Sequence, residues 1–135
     1  MPTLDNKRSL FIIDDDDINI FIITKIAERT GYEVTVSSCH NGKQAIEIIQ
    51  DLVANNKALP DLALIDINMP IMNGWEFVEA FEEMNIEGKD MYMLSSSVYE
   101  NDIEKAKTYK SVKGFISKPL SMERLKELFA AINKS

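Results

Sequence analysis

Short apolar runs alternate with amphipathic stretches along the whole of this chain. Five of the runs have the length and composition of β-strands, and a helical stretch follows each of them, with a clear helical spacing of apolar positions in four of the five. The predicted strands cover residues 9–13, 32–38, 61–65, 91–94 and 114–117, and a turn is expected at 88–90. Alternating strands and helices with short connections predict an α/β fold with a parallel sheet and helices on both of its faces.

Polar residues mark the expected helix starts, because Ser, Asp and Asn side chains accept hydrogen bonds from free helical N–H groups. The expected caps are Asp16 or Asp17, Asn41, Asn73 and Ser121. Gln44 follows Asn41 by three residues, which is the spacing of a capping box. The expected core-facing positions are Ile18, Phe21, Ile22 and Ile26; Ala45, Ile48, Ile49, Leu52 and Val53; Phe77, Val78 and Phe81; and Leu125, Leu128, Phe129 and Ile132.

Two of the predicted elements differ from the others. The second strand alternates, with Val34 and Val36 on one face, which is typical of a half-exposed edge strand. The fourth helix, expected over residues 99–110, has Ile103 and Ala106 as its clear core positions. With so few buried contacts, this helix is expected to be the easiest element to displace.

Composition is that of an ordinary globular domain. The 135 residues suit one domain, with 45% hydrophobic and 27% charged residues. No apolar run approaches the roughly 20 residues that span a bilayer, and residues 1–9 lack a signal-peptide core. A net charge of −7 argues against a free-standing nucleic-acid binder, and a single cysteine fits the cytoplasm. We expect one cytoplasmic domain over residues 1–135, with no membrane contact and no output domain after the fifth helix.

Polar residues end four of the five predicted strands. Asp14 and Asp15 follow the first, Asp66 the third, Ser95 the fourth and Lys118 the fifth. In a parallel sheet these ends share one edge, where ligands bind. Two carboxylates about 4 Å apart repel by roughly 4 kcal/mol at an effective dielectric of 20, and a hard divalent cation such as Mg²⁺ relieves that repulsion. The alternative interpretation is a set of helix caps plus one ion pair.

Four sequence motifs stand at these strand ends. They are Ile-Ile-Asp-Asp at 12–15, Ile-Asp-Ile-Asn-Met-Pro-Ile-Met-Asn-Gly at 65–74, Leu-Ser-Ser at 94–96 and Phe-Ile-Ser-Lys-Pro at 115–119. Through them the chain resembles the receiver domain of two-component response regulators, such as the single-domain chemotaxis regulators, over residues 9–132. The resemblance implies the flavodoxin-like fold: a doubly wound, five-stranded parallel sheet in the order 2-1-3-4-5 with five helices. It also implies a signalling domain that catalyses its own phosphorylation and slow dephosphorylation.

The resemblance assigns a role to each acidic residue. Asp66 matches the aspartate that accepts a phosphoryl group from a phosphohistidine on a sensor histidine kinase or a histidine phosphotransfer protein. Asp14 and Asp15 match the acidic residues that hold Mg²⁺. Asp15 and Asp66 are expected as direct ligands, with the backbone carbonyl of Asn68 as the third. A carboxylate nucleophile beside a hard cation is consistent with phosphoryl transfer.

The remaining motif residues match contacts and a switch of the same family. Ser95 and Lys118 match the hydroxyl and ammonium groups that contact the phosphoryl group. Phe115 matches an aromatic residue that turns inward when the hydroxyl residue moves toward phosphate, and the Lys118–Pro119 bond is cis in the family. The output surface, read by an unknown downstream protein, is therefore expected on the fourth helix, the fifth strand and the fifth helix.

The chain departs from the family pattern in small ways. Asn73 stands where Asp is usual, and Ser95 replaces the commoner Thr, but both keep the hydrogen-bonding group. Asn68 and Ser97 lie beside the site, where they are expected to influence the lifetime of the phosphoryl group.

Three other interpretations stay open at the level of sequence. A haloacid-dehalogenase-type phosphatase would use the first Asp of residues 14–17 as its nucleophile, but it needs a Thr where Ile18 stands. A flavodoxin-like flavin or nucleotide carrier needs a phosphate-binding loop rich in Gly, Ser or Thr after the first strand, where the acidic residues would repel phosphate. A degenerate receiver would act as a binding module without accepting phosphate.

Overall fold

The computed structural model describes residues 6–86, 90–96 and 100–132, and within these ranges five strands alternate with five helices. The elements are β1 (Lys7–Ile13), α1 (Asp17–Glu28), β2 (Glu33–Cys39), α2 (Gly42–Ala54), β3 (Leu62–Asp66), α3 (Gly74–Glu83), β4 (Asp90–Ser95), α4 (Glu100–Ala106), β5 (Val112–Ser117) and α5 (Met122–Ala131). Gly88 in the predicted turn, Ser97 beside the predicted site and Tyr99 at the predicted helix start lie outside the described residues. No described helix has both the length and the apolar character needed to cross a membrane.

The strands form one parallel sheet in the order β2-β1-β3-β4-β5, and the predicted fold class is confirmed. β1 and β3 are neighbours in the interior of the sheet, with Leu10 opposite Leu62. Nearly all residues of these two strands are buried because helices cover both faces. β2 lies at an edge, as its alternation predicted: Val34 and Val36 pack against the core, whereas Glu33 is exposed.

Alternate residues of the central strands contribute to two hydrophobic cores, one on each face of the sheet. The core under α1 and α5 includes Leu10, Ile12, Ile23, Ala27, Leu125, Leu128 and Phe129, with Ile132 partly buried against it. The core under α2, α3 and α4 includes Phe11, Ile13, Ala45, Ile49, Phe77, Val78, Phe81 and Ala106. The predicted core positions of α3 and α5 are thereby confirmed. With both faces covered, the strand ends remain available for polar chemistry.

The predicted core face of α1 is wrong. Ile18, Phe21 and Ile22 are 71%, 61% and 45% exposed, whereas Ile23 and Ala27 are buried. Apolar residues surround most of this helix, so their spacing does not select one face. The small side chain of Ala27 lies against the sheet, and this orientation places Phe21 and Ile22 on the outer side of the helix.

The predicted core positions of α2, and the last one of α1, are confirmed in part. Ile26 of α1 is partly buried and packs against the core under α1 and α5. On α2, Ala45 and Ile49 are buried, but Ile48 and Val53 are 36% and 45% exposed. Helix α2 thus presents a narrower apolar face to the sheet than its sequence predicts.

Four helices begin at the predicted caps. A side-chain oxygen accepts a backbone hydrogen bond from the first turn of the helix at Asp16, Asn41, Asn73 and Ser121. The predicted capping box of Asn41 and Gln44 is confirmed in part: Asn41 Oδ1 accepts from the backbone N of Gln44 at 2.9 Å, but Gln44 Oε1 accepts from the backbone N of His40 at 2.8 Å and not from that of Asn41. A reciprocal capping box forms instead between Asn73 and Glu76, with both hydrogen bonds at 2.9 Å.

Aromatic and polar contacts join α3 to the segment between α4 and β5. The ring of Trp75 is stacked on that of Tyr109, with centroids 5.9 Å apart, and Nζ of Lys105 lies 5.1 Å from the Trp75 ring. The hydroxyl of Tyr109 donates a hydrogen bond to Glu79 Oε2 at 2.6 Å, and this bond raises the pKa of Tyr109 to about 12. Movement of α4 therefore requires these contacts to change.

Candidate functional site

The polar residues predicted at the strand ends lie at one edge of the sheet. Asp66 is the last residue of β3 and Ser95 the last of β4, while Asp14 and Lys118 directly follow β1 and β5. Asp66 is opposite Leu94 in the register of β3 and β4, so Ser95 is one position beyond it. The parallel topology, and not proximity in the sequence, brings these groups together.

Three carboxylates converge at this edge. One oxygen from each of Asp14, Asp15 and Asp66 lies within 4.8 Å of the others. Asp14 and Asp66 are buried, while Asp15 is exposed. Carboxylate oxygens with one solvent-facing member fit a hard divalent cation that keeps part of its water shell, and Mg²⁺ is such an ion. Asn68, the other predicted ligand, is exposed in the loop after β3.

Lys118 is the cation that faces these carboxylates. Its Nζ lies 3.1 Å from Asp14 Oδ2 and 3.3 Å from Asp66 Oδ1. Burial acts to lower the pKa of Lys118, but the hydrogen bond to Asp14 and the charges of Asp14 and Asp66 outweigh it and raise the pKa above its usual value. Lys118 is therefore a permanent ammonium at physiological pH.

Asp66 is held in an environment that disfavours its ionised form. Burial raises the pKa of Asp66 to about 6, the charges of Asp14 and Asp15 add to the increase, and Lys118 opposes it. With that pKa, about 90% of Asp66 is ionised at pH 7. The carboxylate is available as a nucleophile, and its negative charge is poorly solvated.

Asp14 is fixed from several sides. Its Oδ1 accepts from the backbone N of Asp16 at 2.9 Å, and its Oδ2 accepts from Nδ2 of Asn19 at 2.6 Å and from Lys118 at 3.1 Å. Asn19 is not among the residues predicted for the site. Its sequence signal is weak, because a polar residue in the first turn of a helix is ordinary.

A glycine allows α3 to begin directly beside Asp66. The backbone N of Gly74 donates to the carbonyl of Ile67 at 2.9 Å. A Cβ at position 74 would lie 2.5 Å from the backbone oxygen of Asp66 and 3.0 Å from Ile67 Cα, so a larger residue would require the backbone to move. The Asn-Gly pair at 73–74 therefore caps the helix and permits its close approach.

Ser95 and Phe115 lie on adjacent strands near the site. Ser95 is 2% exposed, and its backbone oxygen accepts from the backbone N of Lys118 at 2.8 Å. The Lys118–Pro119 bond is cis, as the resemblance implied. Phe115 is opposite Met93 and packs, partly buried, against the core under α2, α3 and α4. The switch role of Phe115 and the phosphoryl contact of Ser95 stay predictions.

Comparison with known proteins places the chain in a family. The family model described as response regulator receiver domain matches residues 10–130. Two-component response regulator 24 of Arabidopsis thaliana is 30% identical over 135 residues, which cover 98% of this chain and 90% of that protein. The chain belongs to the response regulator receiver domain family, a class of signalling domains in two-component systems.

Solved structures give the same result. The crystal structure of a two-component response regulator from Cytophaga hutchinsonii has a TM-score of 0.82 and 35% identity, covering 92% of this chain and 95% of that one. A chain of the CheX–CheY–BeF3–Mg²⁺ complex from Borrelia burgdorferi has a TM-score of 0.76 at 22% identity, covering 94% and 90%, and supports the fold.

Proposed function

We propose that this chain accepts a phosphoryl group on Asp66 in a two-component phosphorelay. One observation carries the proposal: Asp66 is a buried carboxylate at a strand end, 3.3 Å from the ammonium of Lys118 and grouped with Asp14 and Asp15. A nucleophile, a permanent cation and oxygen ligands for a divalent ion are the groups that phosphoryl transfer needs.

In the proposed transfer, a carboxylate oxygen of Asp66 attacks the phosphorus of a phosphohistidine. The O–P bond forms as the P–N bond breaks, and the imidazole nitrogen keeps the electron pair and takes up a proton. Lys118 is placed to stabilise negative charge on the phosphoryl oxygens. Mg²⁺, held by Asp14, Asp15, Asp66 and the carbonyl of Asn68, would supply further positive charge to those oxygens when bound. Attack by water on the phosphorus later returns Asp66 to the free carboxylate.

The geometry of Asp14 argues against the phosphatase alternative. Both oxygens of Asp14 already accept hydrogen bonds, and the residue is fully buried. Asp14 is therefore poorly placed to attack a substrate. Among the residues that the structure describes, the side chain that contacts the Asp66 carboxylate is that of Lys118, which leaves oxygen lone pairs for attack.

The proposed output is a change of protein-binding surface on α4, β5 and α5. Ser95, at the end of β4, would donate its hydroxyl to the phosphoryl group, and Phe115 would turn inward. Phosphorylation then shifts a pre-existing two-state equilibrium, and a partner that prefers one state shifts it further. The short α4 has a single buried residue within the described part, Ala106, so few core contacts oppose its movement, although the contacts of Lys105 and Tyr109 with α3 would have to change.

We propose that the phosphodonor, a sensor histidine kinase or a histidine phosphotransfer protein, packs against the exposed side chains of α1. Ile18, Phe21 and Ile22 form an apolar surface that begins directly after the acidic residues of the site.

A Phe21→Ser variant tests this docking surface. It should accept phosphate normally from acetyl phosphate but slowly from a phosphohistidine protein. Equal loss with both donors would refute a docking role.

Intact mass spectrometry after incubation with acetyl phosphate and Mg²⁺ tests the phosphorylation itself. We expect a gain of one phosphoryl group that acid or base removes, and no gain in Asp66→Asn. Asp61→Asn is the matched control, because Asp61 is another buried Asp that directly precedes β3 at its opposite end. A phosphoryl adduct that persists in Asp66→Asn would refute the assignment.

A further inference from the structure

We propose that Asn19 is a positioning residue that holds Asp14 in place for the divalent cation and for phosphoryl transfer. The inference rests on the proposed function and extends it to a residue on α1. The Nδ2 atom of Asn19 donates to Asp14 Oδ2 at 2.6 Å, a shorter contact than the 3.1 Å between Lys118 Nζ and the same oxygen.

The three hydrogen-bond donors to Asp14 differ in the other contacts that they make. Asp16 contributes a backbone N–H whose position is set by the start of α1. Lys118 is shared with Asp66, and a phosphoryl group on Asp66 would compete for the same ammonium. Within the described part of the chain, Asn19 is the side-chain donor that hydrogen-bonds to Asp14 alone. It can therefore stay on Asp14 when Lys118 turns toward the phosphoryl group.

The neutrality of the Asn19 amide suits this task. Asp14 is fully buried, so its carboxylate cannot rely on water to fix its orientation. An amide donor fixes the carboxylate without cancelling the negative charge that attracts a cation. Outer-shell partners of this kind, which support a metal site without touching the metal, commonly change metal affinity by about 10- to 100-fold when they are removed.

The competing explanation is that Asn19 only fastens the first turns of α1 to the sheet. Under that explanation, replacing Asn19 lowers stability without changing the affinity of the folded protein for Mg²⁺. Under the positioning role, the Mg²⁺ affinity falls while the fold is kept. Asn19 lies on a helix and is half-buried, so leucine, which has the same branched arrangement of side-chain heavy atoms, a larger volume, no donor and a higher helix propensity, is the first variant to test.

The test compares Asn19→Leu with Asn55→Leu. Asn55 also donates to an aspartate, Asp51 Oδ1 at 3.2 Å, but at the exposed end of α2. The dissociation constant of Mg²⁺ is measured by titration calorimetry, and the rate of Asp66 phosphorylation by acetyl phosphate is measured against Mg²⁺ concentration. Urea unfolding in EDTA reports the stability of each variant.

We expect Asn19→Leu to weaken Mg²⁺ binding about 10-fold or more and to raise the half-saturating Mg²⁺ concentration for phosphorylation by the same factor. Asn55→Leu should remain within about twofold of the wild type. A dissociation constant within twofold of the wild type in Asn19→Leu, or in Asn19→Ala if the leucine variant does not fold, overturns the inference. A wild-type protein that neither binds Mg²⁺ nor gains a phosphoryl group overturns the proposed function itself.

Discussion

The ammonium of Lys118 lies 3.3 Å from Oδ1 of Asp66. The same nitrogen is 3.1 Å from Asp14, and the carboxylate of Asp15 completes the cluster. Within the described part of the chain, one cation thus contacts two buried carboxylates, and the exposed Asp15 lies beside them. The excess negative charge favours the binding of a further cation and makes the site sensitive to the loss of Lys118.

Removing Lys118 is expected to destabilise the metal-free protein. Lys118→Ala leaves buried Asp14 and Asp66 without their cation, which should lower the free energy of unfolding by about 3 kcal/mol, the lower end for a buried pair because Lys118 is 18% exposed. Lys107→Ala is the control, because its ion pair with Glu104 has side chains 67% and 64% exposed and should contribute less than about 1 kcal/mol. Urea unfolding in EDTA measures both, and equal effects would contradict a special role for Lys118.

Neutralising Asp66 should stabilise the metal-free protein in a pH-dependent way. The pKa of Asp66 is raised from 3.8 to about 6, so its contribution to stability is fully present below about pH 4 and is lost as the pH rises through about 6. Asp66→Asn should therefore match the wild type near pH 4. Above pH 7 it should exceed the wild type by up to about 3 kcal/mol.

Thermal or urea unfolding of Asp66→Asn and wild type across this pH range provides the measurement. Saturating Mg²⁺ should reduce the difference above pH 7, because the cation relieves the repulsion in the wild type. A constant difference at all pH values would mean that the ionisation of Asp66 is not its source.

Beryllofluoride, a phosphoryl mimic, is expected to shift amide resonances beyond the site. With Mg²⁺ present, changes should extend from the loops after β1 and β3 into α4 and β5, including Phe115. Ser95→Ala should confine the changes to the loops, since the hydroxyl that would link the phosphoryl group to β4 is removed. Ser38→Ala, on the exposed edge strand, should behave as the wild type. Silence of α4 and β5 in the wild type would refute signalling through that face.

Cys39 is expected to resist alkylation in the native protein. Burial raises the pKa of its thiol from 9.0 to about 11, although a hydrogen bond to the backbone of Asn41 opposes the change. At pH 8 the thiolate fraction is then about 0.1%, against about 10% in the unfolded chain. Iodoacetamide should modify the native protein at least about 100-fold more slowly than the urea-unfolded protein. Rates within tenfold of each other would show that Cys39 is accessible and ionised.

Most of the site could be predicted from the sequence, because the order of strands and helices and the chemistry of the residues at the strand ends both indicate the same edge of the sheet. A buried apolar strand that ends in a carboxylate, as β3 does at Asp66, is rarely stable unless that carboxylate has a polar or charged partner. The alternation of strands and helices places Asp14, Ser95 and Lys118 at the same edge of the sheet as Asp66. Each of these residues can be recognised from its own stretch of sequence. Only the parallel arrangement of the strands is then needed to bring the residues together. Asn19 lacked such a signal, because its partner is defined only once α1 has a fixed rotation about its axis.

The rotation of α1 about its axis also explains why the predicted core face of this helix is wrong. When Ile18, Ile20, Phe21, Ile22, Ile23 and Ile26 are all apolar, the spacing is compatible with more than one face. The packing of Ala27 against the sheet selects one of these faces, and that packing depends on the side chains of the sheet that Ala27 meets in the core. By contrast, α3 and α5 carry charged residues between their apolar positions, so their core faces could be predicted from spacing.

The stacking of Trp75 on Tyr109 gives the protein an intrinsic fluorophore at the joint between α3 and the segment after α4. Trp75 is the single tryptophan of the chain and is 7% exposed. Its emission therefore reports one location, and the ammonium of Lys105, 5.1 Å from the ring, makes that emission sensitive to local charge. A rearrangement of α4 can thus be followed by emission wavelength in real time, in unlabelled protein and at concentrations far below those of resonance methods.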